Sequence, residues 1–214
     1  MKKHRSHFQR IKDFLFFPLR ALLLPEKDCF GLSSWASERF YYVAHESGDY
    51  CLDVGCGRDN RFIKEFLGGR GKGMDVYYYD GLTEENILKD PTNFPFSSHE
   101  FDSVTFIANI NHIPEHLRLL ELKEAFRVLK NGGNIIITMG NPILEIAAHK
   151  LLKIHEKIFR QENIYHEHGG PEEEIYYLKD KEIKELLAEA GFGHIKKKYF
   201  WTQWGLNHVF IGIK

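Results

Sequence analysis

The sequence predicts a single α/β domain, a doubly wound and mostly parallel sheet of seven strands with an antiparallel C-terminal edge strand, behind a helical extension over residues 1–49. Three observations predict it. Short apolar runs alternate with amphipathic ones from Tyr50 onward. The first apolar run ends in glycines, as a strand does where the chain turns into a helix beside a ligand. The chain has 214 residues, 43% of them hydrophobic, which suits one core with a modest extension better than two domains.

The elements follow in order. Tyr50–Val54 is short and apolar and reads as a buried strand. Asn60–Leu67 spaces Phe62, Ile63, Phe66 and Leu67 as a helix does, and Gly68-Gly69-Arg70-Gly71 stops it. Lys72–Val76 is a second strand, Asn86–Lys89 a short third and Phe101–Ile107 a fourth. Pro114–Leu129 is a helix whose Leu117, Leu120, Phe126 and Leu129 share a broad face. Pro114 begins it, where a missing N–H costs nothing, and Asn131-Gly132-Gly133 ends it. The isoleucines of Asn134–Met139 mark a strand buried on both faces. Within an insertion or lid over 142–180, Ile143–Phe159 reads as helix and Gln161–Glu174 as polar loop. Lys181–Ala190 is the last helix, closed by Gly191. His194–Trp201 and His208–Ile213 pair antiparallel at the sheet edge. In Lys196-Lys197-Lys198 the middle side chain faces opposite to its neighbours, which suits a solvated strand better than an RNA contact.

A net charge of −1 supplies no global field for a polyanion, so no nucleic-acid partner is expected. Cys29, Cys51 and Cys56 are odd in number and lack metal-ligand spacing, which reads as reduced thiols in a cytoplasmic protein. No metal site is expected. His166 and His168 are close in sequence but sit in what reads as a solvated loop.

The basic residues Lys2, Lys3, Arg5, Arg10 and Lys12 precede an apolar stretch from Phe14 to Leu24. No small-residue cleavage site follows, and Pro18 and Arg20 interrupt a stretch already too short to span a bilayer. Phe8, Ile11, Leu15 and Leu22 share one helical face. Residues 1–24 therefore read either as an interfacial helix on an anionic membrane or as a helix packed on the domain over its active site. Amphipathic helices are ordinary in soluble proteins, which favours the second.

The chemistry concentrates at Asp53-Val54-Gly55-Cys56-Gly57. Glycines let the backbone turn sharply and approach a ligand with no Cβ in the way. Asp75 ends the second strand, 22 residues after Asp53, about the distance expected of a carboxylate that accepts from both hydroxyls of a ribose. A dinucleotide fingerprint would need a third glycine, where this chain has Asn60. Asp53 would also repel a pyrophosphate but attract a cationic amine or sulfonium. Cys56 reads as a small packing residue, since no base is paired with it.

Leu52–Gly57 resembles motif I of the class I S-adenosylmethionine-dependent methyltransferases, with their Rossmann-like fold. More narrowly, the chain resembles the type-11 methyltransferase family over about residues 50–213. The resemblance continues through Gly73-Met74-Asp75-Val76, Asp90 with Phe94-Pro95-Phe96, Phe101-Asp102-Ser103-Val104, Arg127–Gly133 and Ala190-Gly191-Phe192. It implies that Asp53 and the turn Gly55, Cys56 and Gly57 hold the methionine part of S-adenosyl-L-methionine. It implies further that Asp75 binds the ribose and that Val76 packs on the adenine. Asp90 would accept from the adenine amino group beside Pro91. Ile107 and Ala108 would contact the methionine end through their backbone. Asp59-Asn60 departs from the glycine common at that point, though asparagine tolerates left-handed backbone.

Transfer from a sulfonium is a displacement in which the enzyme mainly supplies alignment. A base is needed only when the acceptor loses a proton. His112, just past a strand end, is the candidate base, its alternative being a histidine packed beside the Pro114 helix. The expected acceptor is a small molecule or one linked to a glycan or lipid. An RNA or protein methyltransferase, or a scaffold that binds the cofactor without transfer, stands as the alternative.

Overall fold

The computed structural model describes residues 3–24, 27–141 and 178–214. The expected helix 143–159, loop 161–174 and histidines His155, His166 and His168 lie outside the described residues. Helices α1 (His7–Leu15), α2 (Phe17–Leu23) and α3 (Trp35–Glu46) precede β1 (Cys51–Val54) and β2 (Gly71–Met74). Then come β3 (Phe101–Ile107), α4 (Glu115–Val128), β4 (Leu129–Gly140), α5 (Asp180–Glu189), β5 (Gly193–Tyr199) and β6 (Asn207–Ile213). The strands form one sheet in the order β2-β1-β3-β4-β6-β5. The first four are parallel, and β6 runs antiparallel to both β4 and β5.

The sheet divides two apolar layers. On one face Leu52, Val54, Val104, Phe106, Ile135 and Ile137 pack toward α4 and α5. On the other, Cys51, Ile136, Val209 and Ile211 pack toward α3 and the turn Phe62–Phe66. The alternation along β4 follows from the two-residue period of a strand. It also divides the lysine run. Lys197 reaches Asp180 at 2.5 Å on the α5 side, and Lys198 reaches Glu46 at 2.7 Å on the α3 side.

Among the described residues the sheet has six strands, not seven. The expected third strand, Asn86–Lys89, shrinks to one parallel bridge between Asp75 and Ile87. The cause is local. Asn86 turns its side chain on the backbone, donating to Gly73 O at 2.7 Å and accepting from Thr83 N at 3.0 Å, so Glu84–Asn86 closes into a 3-10 turn. A second correction concerns Asn131-Gly132-Gly133, expected to end the helix. α4 already ends at Val128, and β4 begins at Leu129. The glycines sit inside the strand at a register shift opposite Phe101–Ser103, with Gly132 at φ 79°. The helix expected over Asn60–Leu67 is a 3-10 turn, Arg58–Asn60, followed by one π-helical turn, Phe62–Phe66.

The extension is built inside out. Asp13, Phe17 and Arg20 face the domain, while Phe8, Ile11, Leu15 and Leu22 are exposed. Arg20 donates to Ser33 O at 2.6 Å, Asp13 O at 2.5 Å and Glu38 Oε2 at 2.6 Å. Arg5 donates to Asp13 at 2.8 Å and to Glu38 at 2.6 Å, and the Thr202 hydroxyl also reaches Glu38. Two arginines thus meet two carboxylates, and the extension is tied to α3 and to the Trp201–Gln203 turn by a buried, neutral network. The expected packing of α1 on the domain is present, but through its polar side.

Candidate functional site

α3 places this cap beside the strand ends. Its far end, at Glu46, accepts through its backbone carbonyl from Asn134 Nδ2 within β4 at 3.0 Å. Its near end lies by the glycine turn, where Arg61 donates to Ser37 Oγ at 3.0 Å.

β1 carries Asp53 into the turn. Asp53 is 2% exposed and accepts from the Thr105 hydroxyl at 2.7 Å, across the Asp53–Thr105 register of β1 and β3. Burial pushes its carboxyl up to about 7 against the lowering effect of Thr105, and the nearby Asp75 adds to the rise. Among the described residues no basic side chain offsets it. The backbone then turns at Gly55 (φ 74°) and Gly57 (φ 62°), both N–H groups of Gly55 and Cys56 donating to Met74 O, at 2.8 and 3.1 Å. A Cβ at Gly57 would meet nothing within 4 Å, so the turn is open to an approaching ligand. Asp59 (φ 62°) and Asn60 (φ 48°) continue in left-handed backbone, which their short polar side chains tolerate.

Asp75, at the end of β2, accepts from Gly57 N at 2.9 Å and Tyr77 N at 3.0 Å, one bond on each oxygen. Burial raises this carboxyl above its usual range while the N–H groups of Tyr77, Gly57 and Val76 oppose the rise. Val76, 51% exposed, follows it as an apolar platform beside Tyr77. Burial, reinforced by Asp53 and Asp75, raises the Cys56 thiol above its usual range, which disfavours the nucleophilic thiolate.

At the end of β3, Ile107 leads into Ala108 at φ 55°, whose N–H donates to the Thr138 hydroxyl at 2.9 Å. Asn109 Nδ2 donates to Val54 O at 2.6 Å, tying this end to the glycine turn, and Asn109 Oδ1 is buried with no partner among the described residues. A Cβ on Gly55 would lie 2.0 Å from Asn109 Nδ2. Gly55→Ala therefore combines a left-handed backbone penalty of ~1–2 kcal/mol with displacement of Asn109. A lowered melting temperature and lost cofactor binding in calorimetry are the expected result, and unchanged binding would contradict this account.

The remaining expected residues, Asp90, Pro91 and His112, lie in turns of their own. Asp90 is exposed in its own turn, where Oδ1 accepts from the Thr92 hydroxyl at 2.6 Å and from Thr92 N at 2.9 Å, which holds its carboxyl below the usual range. Pro91 is half-buried in the same turn. His112 is exposed at the end of the turn Ile110–His112, its N–H donating to Asn109 O at 2.8 Å.

Sequence reading missed Thr105 and Asn109. Thr105 had a signal, since Ser103 and Thr105 put two hydroxyls on one face of the strand between Phe101 and Ile107. Asn109 had none, because only the fold brings it under Gly55. Among the described residues the turn offers a buried carboxyl with no cation beside it, a second carboxylate at the end of β2, an unpartnered amide oxygen and an open glycine. That set fits an amino- and ribose-bearing cation such as S-adenosylmethionine and opposes a pyrophosphate.

Residues 32–197 match the family model described as a methyltransferase domain. The chain belongs to the class I S-adenosylmethionine-dependent methyltransferases. The methyltransferase is 28% identical over 204 residues to a demethylmenaquinone methyltransferase of Staphylococcus saprophyticus, covering 85% of each chain. It is 26% identical over 194 residues to the mitochondrial 2-methoxy-6-polyprenyl-1,4-benzoquinol methylase of Danio rerio, covering 85% of this chain and 55% of that one. Its fold matches an S-adenosylmethionine-dependent methyltransferase of Thermotoga maritima, described as a possible histamine N-methyltransferase. That match has a TM-score of 0.59 and 17% identity and covers 97% and 98% of the two chains. The putative methyltransferase bound to the Haloferax volcanii Trm112 activator matches at a TM-score of 0.60, with 15% identity over 83% of this chain and 89% of that one.

Proposed function

We propose that this methyltransferase alkylates a small, lipid-soluble quinol, with S-adenosylmethionine seated on the glycine turn. The observation that supports the acceptor is the character of its relatives. The staphylococcal and zebrafish proteins, both named for quinone-type substrates, each align with 85% of this chain. The net charge of −1 agrees, since it gives no field to gather RNA.

The cofactor supplies a methyl group on a positively charged sulfur with a good leaving group, so the protein mainly binds, aligns and excludes water. Asp53 faces the cationic methionine end. Gly55, Cys56 and Gly57 allow close approach, and Asn109 Oδ1 is at hand as an acceptor. The Ala108 N–H is held by Thr138, which fixes the backbone of Ile107 and Ala108 where it contacts the methionine end. Asp75 accepts from the ribose hydroxyls. Val76 packs on the adenine, and Asp90 Oδ2, not used by Thr92, accepts from the adenine amino group beside Pro91.

His112 takes the proton that the acceptor gives up. His112→Gln is expected to lower kcat about 100-fold with the dissociation constant for S-adenosylmethionine unchanged. An unchanged kcat would remove His112 from the reaction. For the acceptor itself, transfer of labelled methyl to a reduced, prenylated naphthoquinol in detergent is the test. Product is expected. Cofactor binding without labelled quinol would overturn the acceptor and leave the cofactor assignment standing.

A further inference from the structure

α1 and α2 are nearly one helix. Phe16 between them donates its N–H to Lys12 O at 3.0 Å, and Arg20 donates its own to Phe16 O at 2.9 Å. Positions 13, 17 and 20 face inward. Phe8, Ile11, Leu15, Leu19 and Leu22, spaced three or four apart, lie on the opposite side and are exposed, Phe8 at 69% and Leu15 at 63%. A helix that buries its charges against its own domain and presents an unbroken apolar stripe outward has its amphipathicity reversed relative to a solvent-facing cap.

The surrounding charge identifies the occupant. Residues 1–24 contain six Lys or Arg and one acid, Asp13. The inward network cancels itself, with Arg5 and Arg20 set against Asp13 and Glu38. Lys3, Arg10 and Lys12 remain outside that network, and residues 3–24 hold no further acid to offset them. Lys12 Nζ lies 5.2 Å from the Phe8 ring, and Arg10 lies 5.3 Å from the Trp201 ring. Trp204, 55% exposed, anchors its indole N–H on Phe14 O at 3.1 Å, an amphipathic ring at the edge of the stripe. Phe30, 91% exposed, projects from the next loop. A second copy docking across a two-fold axis would set these unbalanced cations against themselves. Among the described residues no helix is long and apolar enough to cross a membrane.

We propose that the α1–α2 face is a docking surface for an anionic lipid bilayer, lying in the interface with the stripe Phe8–Leu22 in the acyl region and the basic residues at the headgroups. The other side of the same helices meets the Trp201–Gln203 turn and the near end of α3, so docking brings the carboxyl ends of the strands to the membrane surface.

Flotation of the full chain with vesicles of equal parts phosphatidylglycerol and phosphatidylcholine, beside pure phosphatidylcholine, tests this without any methyl acceptor and so independently of the quinol reading. The chain is expected to float with the anionic vesicles and to stay behind with the neutral ones. The triple variant Phe8→Ser, Leu15→Ser, Leu19→Ser should lose at least about tenfold in vesicle affinity, with S-adenosylmethionine binding by calorimetry unchanged as proof of folding. Lys12→Glu should weaken flotation on the anionic vesicles alone. Failure of the intact chain to float, equal flotation of the triple variant or equal flotation on neutral vesicles would overturn the proposal. A dimer that the triple variant dissociates, with no flotation, would assign the face to a second copy instead.

Discussion

Arg20→Ala is expected to destabilise the methyltransferase by about 3–5 kcal/mol, the usual cost of removing one partner of a buried ion pair. Arg20 is 1% exposed, and its guanidinium satisfies two carbonyl oxygens and one carboxylate. Alanine leaves all three without that donor. It also leaves Glu38 and Asp13 with Arg5 as their shared cation. For a chain of this size the melting temperature should fall by roughly 10 °C. Hydrogen exchange should accelerate first over residues 7–23, because the network is what holds them. A second variant separates charge from packing. Arg20→Met with Glu38→Gln removes one charge of each sign and keeps the volume, so it should be less damaging than Arg20→Ala alone. A loss below about 1 kcal/mol for Arg20→Ala would show that the cap is held otherwise.

Much of this molecule was legible in the sequence because its decisive features are local. The strand ending in glycines, the acid after the second strand and the β-branched fifth run each carry their structure in a few adjacent residues. What was not legible depends on competition or distance. Asn86–Lys89 has strand-like residues, but the Asn86 amide bonds to Gly73 O and so competes with the ladder. Leu129 joins β4 at once because it pairs beside Phe101, a partner far away in the chain. The extension shows the limit most clearly. The heptad-like spacing of Phe8, Ile11, Leu15 and Leu22 was visible, but not the side of the helix that meets the domain. That side was decided by Glu38 on α3, whose buried carboxylate captures both arginines. At the site, the register that sets Thr105 against Asp53 is likewise a property of two strands together.

Asp53→Asn is expected to weaken S-adenosylmethionine binding by ~10–100-fold and to abolish much of its pH dependence, as loss of a hydrogen bond to a charged group costs about 1.5–3 kcal/mol. The sign of that dependence follows from burial. The folded carboxyl sits at about 7 against a reference of 3.8. A raised acid of this kind stabilises the ligand-free fold fully below the reference value, and that contribution is lost as pH rises to about 7. The intact protein should therefore lose stability relative to Asp53→Asn between pH 4 and 7, by a few kcal/mol, and the difference should level off above pH 7. Binding runs the other way. A cation beside Asp53 favours the ionised form, so complex formation below pH 7 releases a proton, and affinity should rise with pH by up to about tenfold per unit until it flattens near 7. Titration calorimetry in two buffers of different ionisation enthalpy reads the released proton directly, and the variant should release less. Equal affinity and equal proton release in the variant would mean that the methionine end of the cofactor does not face Asp53, and would leave the buried carboxyl at the end of β1 without a role in binding.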